Sequence, residues 1–256
     1  MNEEAPPNTT TTPQMPHPLS APAEGSVVAI VLAAGNSSRM GGVDKMWAEI
    51  GGAPLIAHSL RAMAETPGVE MVVAVAPEDR HAGIIGLLDG WDVNVRCVVG
   101  GARRQDSVAA GIAAAPEATW YLVHDGARAL VTTGLAARVL SAARVHGAAI
   151  PGVPLTDTVK RVQPIEGDAG ASGDAERVRG TIDRTALRAI QTPQAFRGDI
   201  LRRAHLEVTA DVTDDASMLE HLDLPVVVVR GDATNIKVTT PADLAIARAL
   251  MAQCEE

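Results

Sequence analysis

The sequence predicts an α/β protein built on a mostly parallel, twisted sheet with helices on both faces. Three observations carry this expectation. From Ser26 onward, short β-branched runs alternate regularly with Ala-rich helical stretches. The composition is 46% hydrophobic but only 2% aromatic, so the core must be built from Ala, Val, Leu and Ile. Glycine-rich segments follow several of the strands, where open α/β sheets bind their ligands. A chain of 256 residues is long enough to enclose one core of ordinary size.

Residues 1–25 are rich in Pro and Thr and nearly free of large apolar side chains, which reads as a disordered tail ahead of a domain spanning 26–256. Residues 27–32 (VVAIVL) form a buried strand. The pattern then repeats: helix about 53–65, strand 70–76, helix about 78–89, strand 93–99, helix 103–115, strand 119–124, helix 132–146, strand 148–153. Past Pro154 the rhythm breaks. Two extended pieces, 155–162 and 177–184, flank the polar, Gly-rich QPIEGDAGASGDAE, which suggests a protruding β-hairpin arm over about 154–185. Helices near 197–207 and 214–221, a strand at 225–230 and a helix opened by Pro241 and running to about Gln253 complete the chain.

Charge and composition narrow the function. A formal net charge of −9 argues against nonspecific binding to nucleic acid or to an acidic membrane surface, so an anionic substrate must be held locally. Cys97 and Cys254 lie far apart without metal-ligand spacing, which suggests a reducing compartment and a buried, inert Cys97. The N-terminus lacks the basic and apolar regions of a secretion signal and no apolar run spans a bilayer, so the expected location is the cytoplasm.

The segment LAAGNSSRMGGVDK at 32–45 follows the first strand and gathers Gly35, the amides and hydroxyls of Asn36, Ser37 and Ser38, and the charges of Arg39 and Lys45. That combination suits a polyphosphate. The segment has neither the Gly-Lys-Ser/Thr of a Walker A loop nor the second glycine of a dinucleotide fingerprint. In GGARRQDSVAAG at 100–111, Gly100 and Gly101 allow close backbone approach and Ser107 offers a hydroxyl one turn into a helix. In VHDGAR at 123–128, Asp125 can meet Mg²⁺ or a substrate hydroxyl, and Arg128 can grip a phosphate.

These three strings are followed in order by PLTDTVK (154–160), TIDR (181–184), QTPQAF (191–196), VTDDAS (212–217) and NIKVTTPADL (235–244). Together, over about residues 26–251, they resemble the 2-C-methyl-D-erythritol 4-phosphate cytidylyltransferases of the non-mevalonate isoprenoid pathway. The resemblance implies a Rossmann-like, glycosyltransferase-A-like nucleotidyltransferase fold, a homodimer joined through the arm, and transfer of a cytidylyl group from CTP to 2-C-methyl-D-erythritol 4-phosphate with Mg²⁺. It places Ala33, Ala34, Gly35, Arg39 and Lys45 on the triphosphate and Gly101 and Ser107 on cytidine. Asp125, Arg128, Thr192, Thr213 and Lys237 fall around the acceptor and the reacting phosphate, with Arg39, Lys45 and Lys237 catalytic. Thr158 and Arg184 match arm residues that reach a partner's site.

The chain departs from the family pattern at Asp44 and Ala129, where proline is usual, and at Ala102, where an acidic residue is common. RMGGVDK is also similar to molybdenum-cofactor guanylyltransferases, so the nucleotide assignment rests on the other segments. Two further readings stay open: the same transfer to another polyol phosphate such as ribitol 5-phosphate, and a noncatalytic nucleotide-binding module.

Overall fold

A computed structural model describes residues 24–35, 44–165 and 175–254. Residues 1–23, 36–43 with Arg39, 166–174 and 255–256 lie outside the described residues. The chain opens with β1 (Val27–Leu32), whose side chains alternate between two cores: Val27, Ala29 and Val31 pack on one face of the sheet, Val28 and Ile30 on the other. A 3-10 turn at Lys45–Trp47 and the two-residue strands β2 (Glu49–Ile50) and β3 (Ala53–Pro54) lead into α1 (Leu55–Ala64). Next come β4 (Val69–Val75), a 3-10 turn at Glu78–Arg80, α2 (His81–Leu87), β5 (Asn94–Val98), α3 (Arg104–Ala114), β6 (Trp120–Asp125), α4 (Thr133–His146) and β7 (Ala148–Pro154).

The local chemistry of α4 shows why such an element starts and stops where it does. Thr132 caps it by accepting from the Leu135 amide at 3.1 Å, Leu135, Ala136, Val139, Leu140 and Ala143 form the buried stripe, and Gly147 ends it at φ 88°.

The arm consists of β8 (Val159–Pro164) and β9 (Glu176–Ile182), paired only with each other. Short strands β10 (Arg188–Ile190) and β11 (Gln194–Arg197) follow, then α5 (Gly198–Glu207), α6 (Asp215–His221), β12 (Val227–Arg230) and α7 (Pro241–Cys254). In the main sheet β5, β4, β1 and β6 run parallel; β11 lies antiparallel between β6 and β7, and β12 runs parallel along the far edge of β7. Helices α1, α2, α4 and α7 cover one face, and α3, α5 and α6 the other.

The expected α/β architecture and arm are both present, with local corrections. The helix expected near 78–89 divides into a 3-10 turn and the shorter α2. Residues 155–158 are not strand, and each arm strand instead extends toward the tip. Strands β10 and β11 carry no local signal: three or four residues on either side of TP offer no readable alternation, and pairing with β6 and β7 is what makes them strands. Cys97 is half-buried, not fully buried, and its thiol lies 3.8 Å from the His81 carbonyl; burial raises its pKa.

Two glycines expose how closely α3 packs. A Cβ on Gly111 would stand 2.6 Å from Ile30 Cγ2, whereas one on Gly86, exposed on α2, would meet nothing within 4 Å. Helix propensity alone favours Ala over Gly by about 1 kcal/mol at either position. We therefore expect Gly86→Ala to stabilise the protein by roughly 0.5–1 kcal/mol, and Gly111→Ala to destabilise it by about 1–3 kcal/mol through overpacking of α3 on β1. Urea unfolding of the two variants checks the opposite signs.

Candidate active site

The C-terminal ends of β1 and β6 and the first turn of α3 surround a cavity of about 440 Å³ lined by Ala34, Gly35, Lys45, Gly101, Ala102, Arg103, Arg104, Ser107, Asp125 and Lys237, among others. A second cavity of about 240 Å³ is lined by Arg104, Asp125, Arg128, Ile190, Gln191, Thr192, Gln194, Thr213, Asp214 and Lys237. Arg104, Asp125 and Lys237 line both. Segments more than a hundred residues apart in the sequence thus converge on one wall.

The loop before α3 is shaped by close approach. A Cβ on Gly100 would lie 2.5 Å from the Ala34 side chain, and one on Gly101 would collide with Asp106. The Gly101 amide donates to Ser107 Oγ at 3.1 Å, and that hydroxyl is 3.2 Å from the Arg103 carbonyl, so Ser107 closes the loop onto its own helix. Arg103 turns outward to Asp106 and Asp211, while Arg104 turns inward.

Asp125, at the end of β6, is the buried centre of the wall. Lys237 Nζ is 2.8 Å from its Oδ2, Arg104 Nε 3.4 Å from its Oδ1, and Arg128 Nε 4.0 Å from its Oδ2. Burial alone would raise the pKa of this carboxyl, but Arg104, Lys237 and Arg128 together hold it well below the usual carboxylate range. Arg104 also reaches the fully buried Asp215 at 2.7 Å, which His205 meets at 3.1 Å on its other oxygen. Arg128 donates to the Asn235 carbonyl at 2.9 Å.

Thr192 ties the second cavity to β6. Its Oγ1 accepts from the Asp125 amide at 2.9 Å and lies 3.0 Å from His124 Nδ1. Asn235 donates to the Thr192 carbonyl at 2.9 Å, which fixes the chain just before Lys237.

Most residues expected at the site are therefore gathered around these cavities. Ala33 is the exception in the first loop: its side chain is in the core and its amide donates to the Val75 carbonyl, so it does not line the cavity. Thr158 and Arg184 are exposed at the base of the arm and line neither cavity of this chain; Arg184 donates to the Thr156 carbonyl. Arg39 lies outside the described residues. Sequence reasoning did not single out Arg104, His124, Asp215 or Asn235. Arg104 had a readable signal as the first residue of a helix opening at a strand end, but nothing distinguished it from Arg103 beside it.

His124 is fully buried, and burial lowers its pKa from 6.5 to about 4. The unfolded chain takes up this proton near the ordinary value and the folded chain only near 4, so in that window the unfolded state binds more protons. Stability is then lost as pH falls through it. We expect urea-unfolding stability to drop by roughly 2 kcal/mol from about pH 7.5 to about pH 5 through this group, with a flatter profile in His124→Gln. Equal slopes in the two proteins would show that the ring titrates freely in the folded state.

Comparison with known proteins agrees with this geometry. The family model for 2-C-methyl-D-erythritol 4-phosphate cytidylyltransferase matches residues 27–253. The enzyme of that name from Streptomyces coelicolor is 46% identical over 232 residues, covering 88% of this chain and 84% of that protein. The crystal structure of 4-diphosphocytidyl-2C-methyl-D-erythritol synthase from Anaerococcus prevotii superposes with a TM-score of 0.76 at 29% identity, over 89% of this chain and 96% of that one. The 2-C-methyl-D-erythritol 4-phosphate cytidylyltransferase of Thermus thermophilus does so with a TM-score of 0.69 at 33% identity, over 87% and 98%. With the motifs in order, the two cavities meeting at Asp125 and relatives matched along most of their length, the chain belongs to the 2-C-methyl-D-erythritol 4-phosphate cytidylyltransferase family.

Proposed function

We propose that the protein transfers the cytidylyl group of CTP to 2-C-methyl-D-erythritol 4-phosphate. The observation that carries this reading is the pair of cavities sharing Arg104, Asp125 and Lys237 as a common wall. The larger takes the nucleotide, the smaller takes the acceptor, and the α-phosphorus sits where they meet. An acceptor phosphate oxygen attacks that phosphorus in line; the new O–P bond forms as the bond to the β-phosphate oxygen breaks, and pyrophosphate leaves. The attacking oxygen is already anionic, so no general base is required.

The protein's contribution is to position two anions and stabilise the charge that develops between them. Lys45 and the amides around Gly35 receive the triphosphate, and Lys237 reaches the transferring phosphate from the shared wall. Arg128 and Thr192 bind the acceptor, with Thr213 at the rim. Asp125 keeps Lys237 and Arg104 aimed at the junction.

No group of three or more His, Cys, Asp or Glu gathers among the described residues. Asp125, the carboxylate that lines both cavities, is the residue that would hold Mg²⁺ beside the triphosphate. When bound, the ion neutralises charge on the triphosphate and on the leaving pyrophosphate. Among the described residues no helix is long and apolar enough to cross a membrane.

Pyrophosphate release, scanned over four nucleoside triphosphates with methylerythritol phosphate and ribitol 5-phosphate as acceptors, tests substrate identity. The expected active pair is CTP with methylerythritol phosphate; preference for ribitol 5-phosphate would move the assignment to the other acceptor, and no release with any pair would favour a noncatalytic module. Lys45→Ala and Lys237→Ala are each expected to lower kcat by ~10²-fold or more, as loss of a preorganised charge does. Unchanged kcat in either would remove that lysine from the chemistry.

The arm gives the proposal its quaternary part. Val162 and Val178, paired across β8 and β9, are exposed at 41% and 57%, and Arg184 lies on the same projection. We assign the arm to a second copy of the chain, with Thr158 and Arg184 completing the partner's acceptor cavity. Lys237→Ala and Arg184→Ala homodimers should each be nearly inactive. Mixing them in equal amounts should recover about a quarter of wild-type activity, because half the dimers are mixed and one of their two sites is intact. No recovery despite demonstrated subunit exchange would leave the arm outside the site.

A further inference from the structure

Lys45 does not enter the nucleotide cavity from a regular element. It opens a three-residue 3-10 turn, Lys45–Trp47, and so short a turn has little stability of its own. Met46 anchors its middle in the core, and its two ends are held by side chains outside the cavity. Asp44 precedes the turn at φ −70° and its Oδ1 accepts from the Met46 amide at 3.1 Å. Its other oxygen meets Arg80 Nη2 at 3.1 Å, and the Arg80 guanidinium lies over the Trp47 ring, 5.7 Å from its centroid. Trp47 in turn packs on α2, where a Cβ on Gly83 would stand 2.7 Å from the ring. Arg80 therefore grips both ends of the turn, by charge at Asp44 and by its face at Trp47.

We propose that Arg80 is a positioning residue for Lys45: the Asp44–Arg80–Trp47 clamp orients the turn so that the lysine is presented to the triphosphate. Arg80 is not among the described residues that line either cavity, and its contacts with Asp44 and Trp47 are contacts with the turn itself. Arg80 and Asp44 are 40% and 36% exposed, so their ion pair contributes little to global stability and its effect falls on the geometry of the turn. The clamp also gives Asp44 a local role at a position where the family usually has proline, since its cap and its ion pair hold the start of the turn.

The inference rests on the role given to Lys45 above, and a double-mutant cycle separates the two. Arg80→Ala is expected to lower kcat by about tenfold with an unchanged melting temperature, and Lys45→Ala by ~10²-fold or more. The double variant should be no slower than Lys45→Ala alone, since a lysine that is absent needs no positioning. Full kcat in Lys45→Ala would remove the underlying reading and the positioning role with it. Full kcat in Arg80→Ala beside a slow Lys45→Ala would overturn the positioning role alone. Losses that multiply in the double variant would give Arg80 an effect independent of Lys45 and would likewise overturn it.

Discussion

A carboxylate ionised inside the protein, at the end of a central parallel strand, is the constraint around which the site is organised. Asp125 is nearly removed from solvent, and a charge there is tolerable only with cations packed against it. Arg104, Arg128 and Lys237 supply them, each from a different part of the chain: the first residue of α3, the loop after β6, and the connection between β12 and α7. Removing one partner of such a cluster leaves buried charge uncompensated, which typically costs about 3–5 kcal/mol. Arg104 is shared with Asp215, so Lys237 and Arg128 carry the positive charge that Asp125 alone does not offset. In the proposed reading, the cations that stabilise Asp125 are the ones that receive phosphate.

The cations are held by buried polar groups behind them. Gln191 exchanges two hydrogen bonds with the backbone of Asp232, at 2.7 and 3.1 Å, and fully buried Asn235 bridges Thr192 and Arg128. The Val238 amide donates to the Ala127 carbonyl at 2.9 Å, so the segment carrying Lys237 is sewn to the loop carrying Arg128. A site supported in this way keeps its donors in place before substrate arrives, and preorganised donors need little reorganisation during transfer. Asp215 plays the same part for Arg104, fixing the guanidinium between the two cavities.

Legibility in the sequence followed the physics of each feature. The glycine-rich loops could be read because close approach of backbone demands glycine, and Gly100 and Gly101 indeed stand where a Cβ would meet Ala34 and Asp106. Asp125 and Lys237 could be read from motif order. Arg104 and Arg103 could not be told apart, because only the packing of α3 on the sheet decides which guanidinium turns toward Asp125 and which toward Asp211. Ala33 could not be separated from Ala34 either: alternate residues of an extended chain point to opposite sides, and which side was core depended on the register of β1 with β4 and β6.

The sequence by itself determined the alternation of strand and helix, the parallel core, the arm and the positions of the glycine-rich loops. Those features follow from local periodicity and backbone sterics, which act over a few residues. Tertiary structure alone decided that the residues flanking the TP of QTPQ pair as strands β10 and β11, that His124 is buried and neutral at ordinary pH, and that Asp215 and Asn235 serve a centre built around Asp125. Burial, charge pairing and strand pairing depend on groups brought together from across the chain. Their free energies exist only once the sheet has formed.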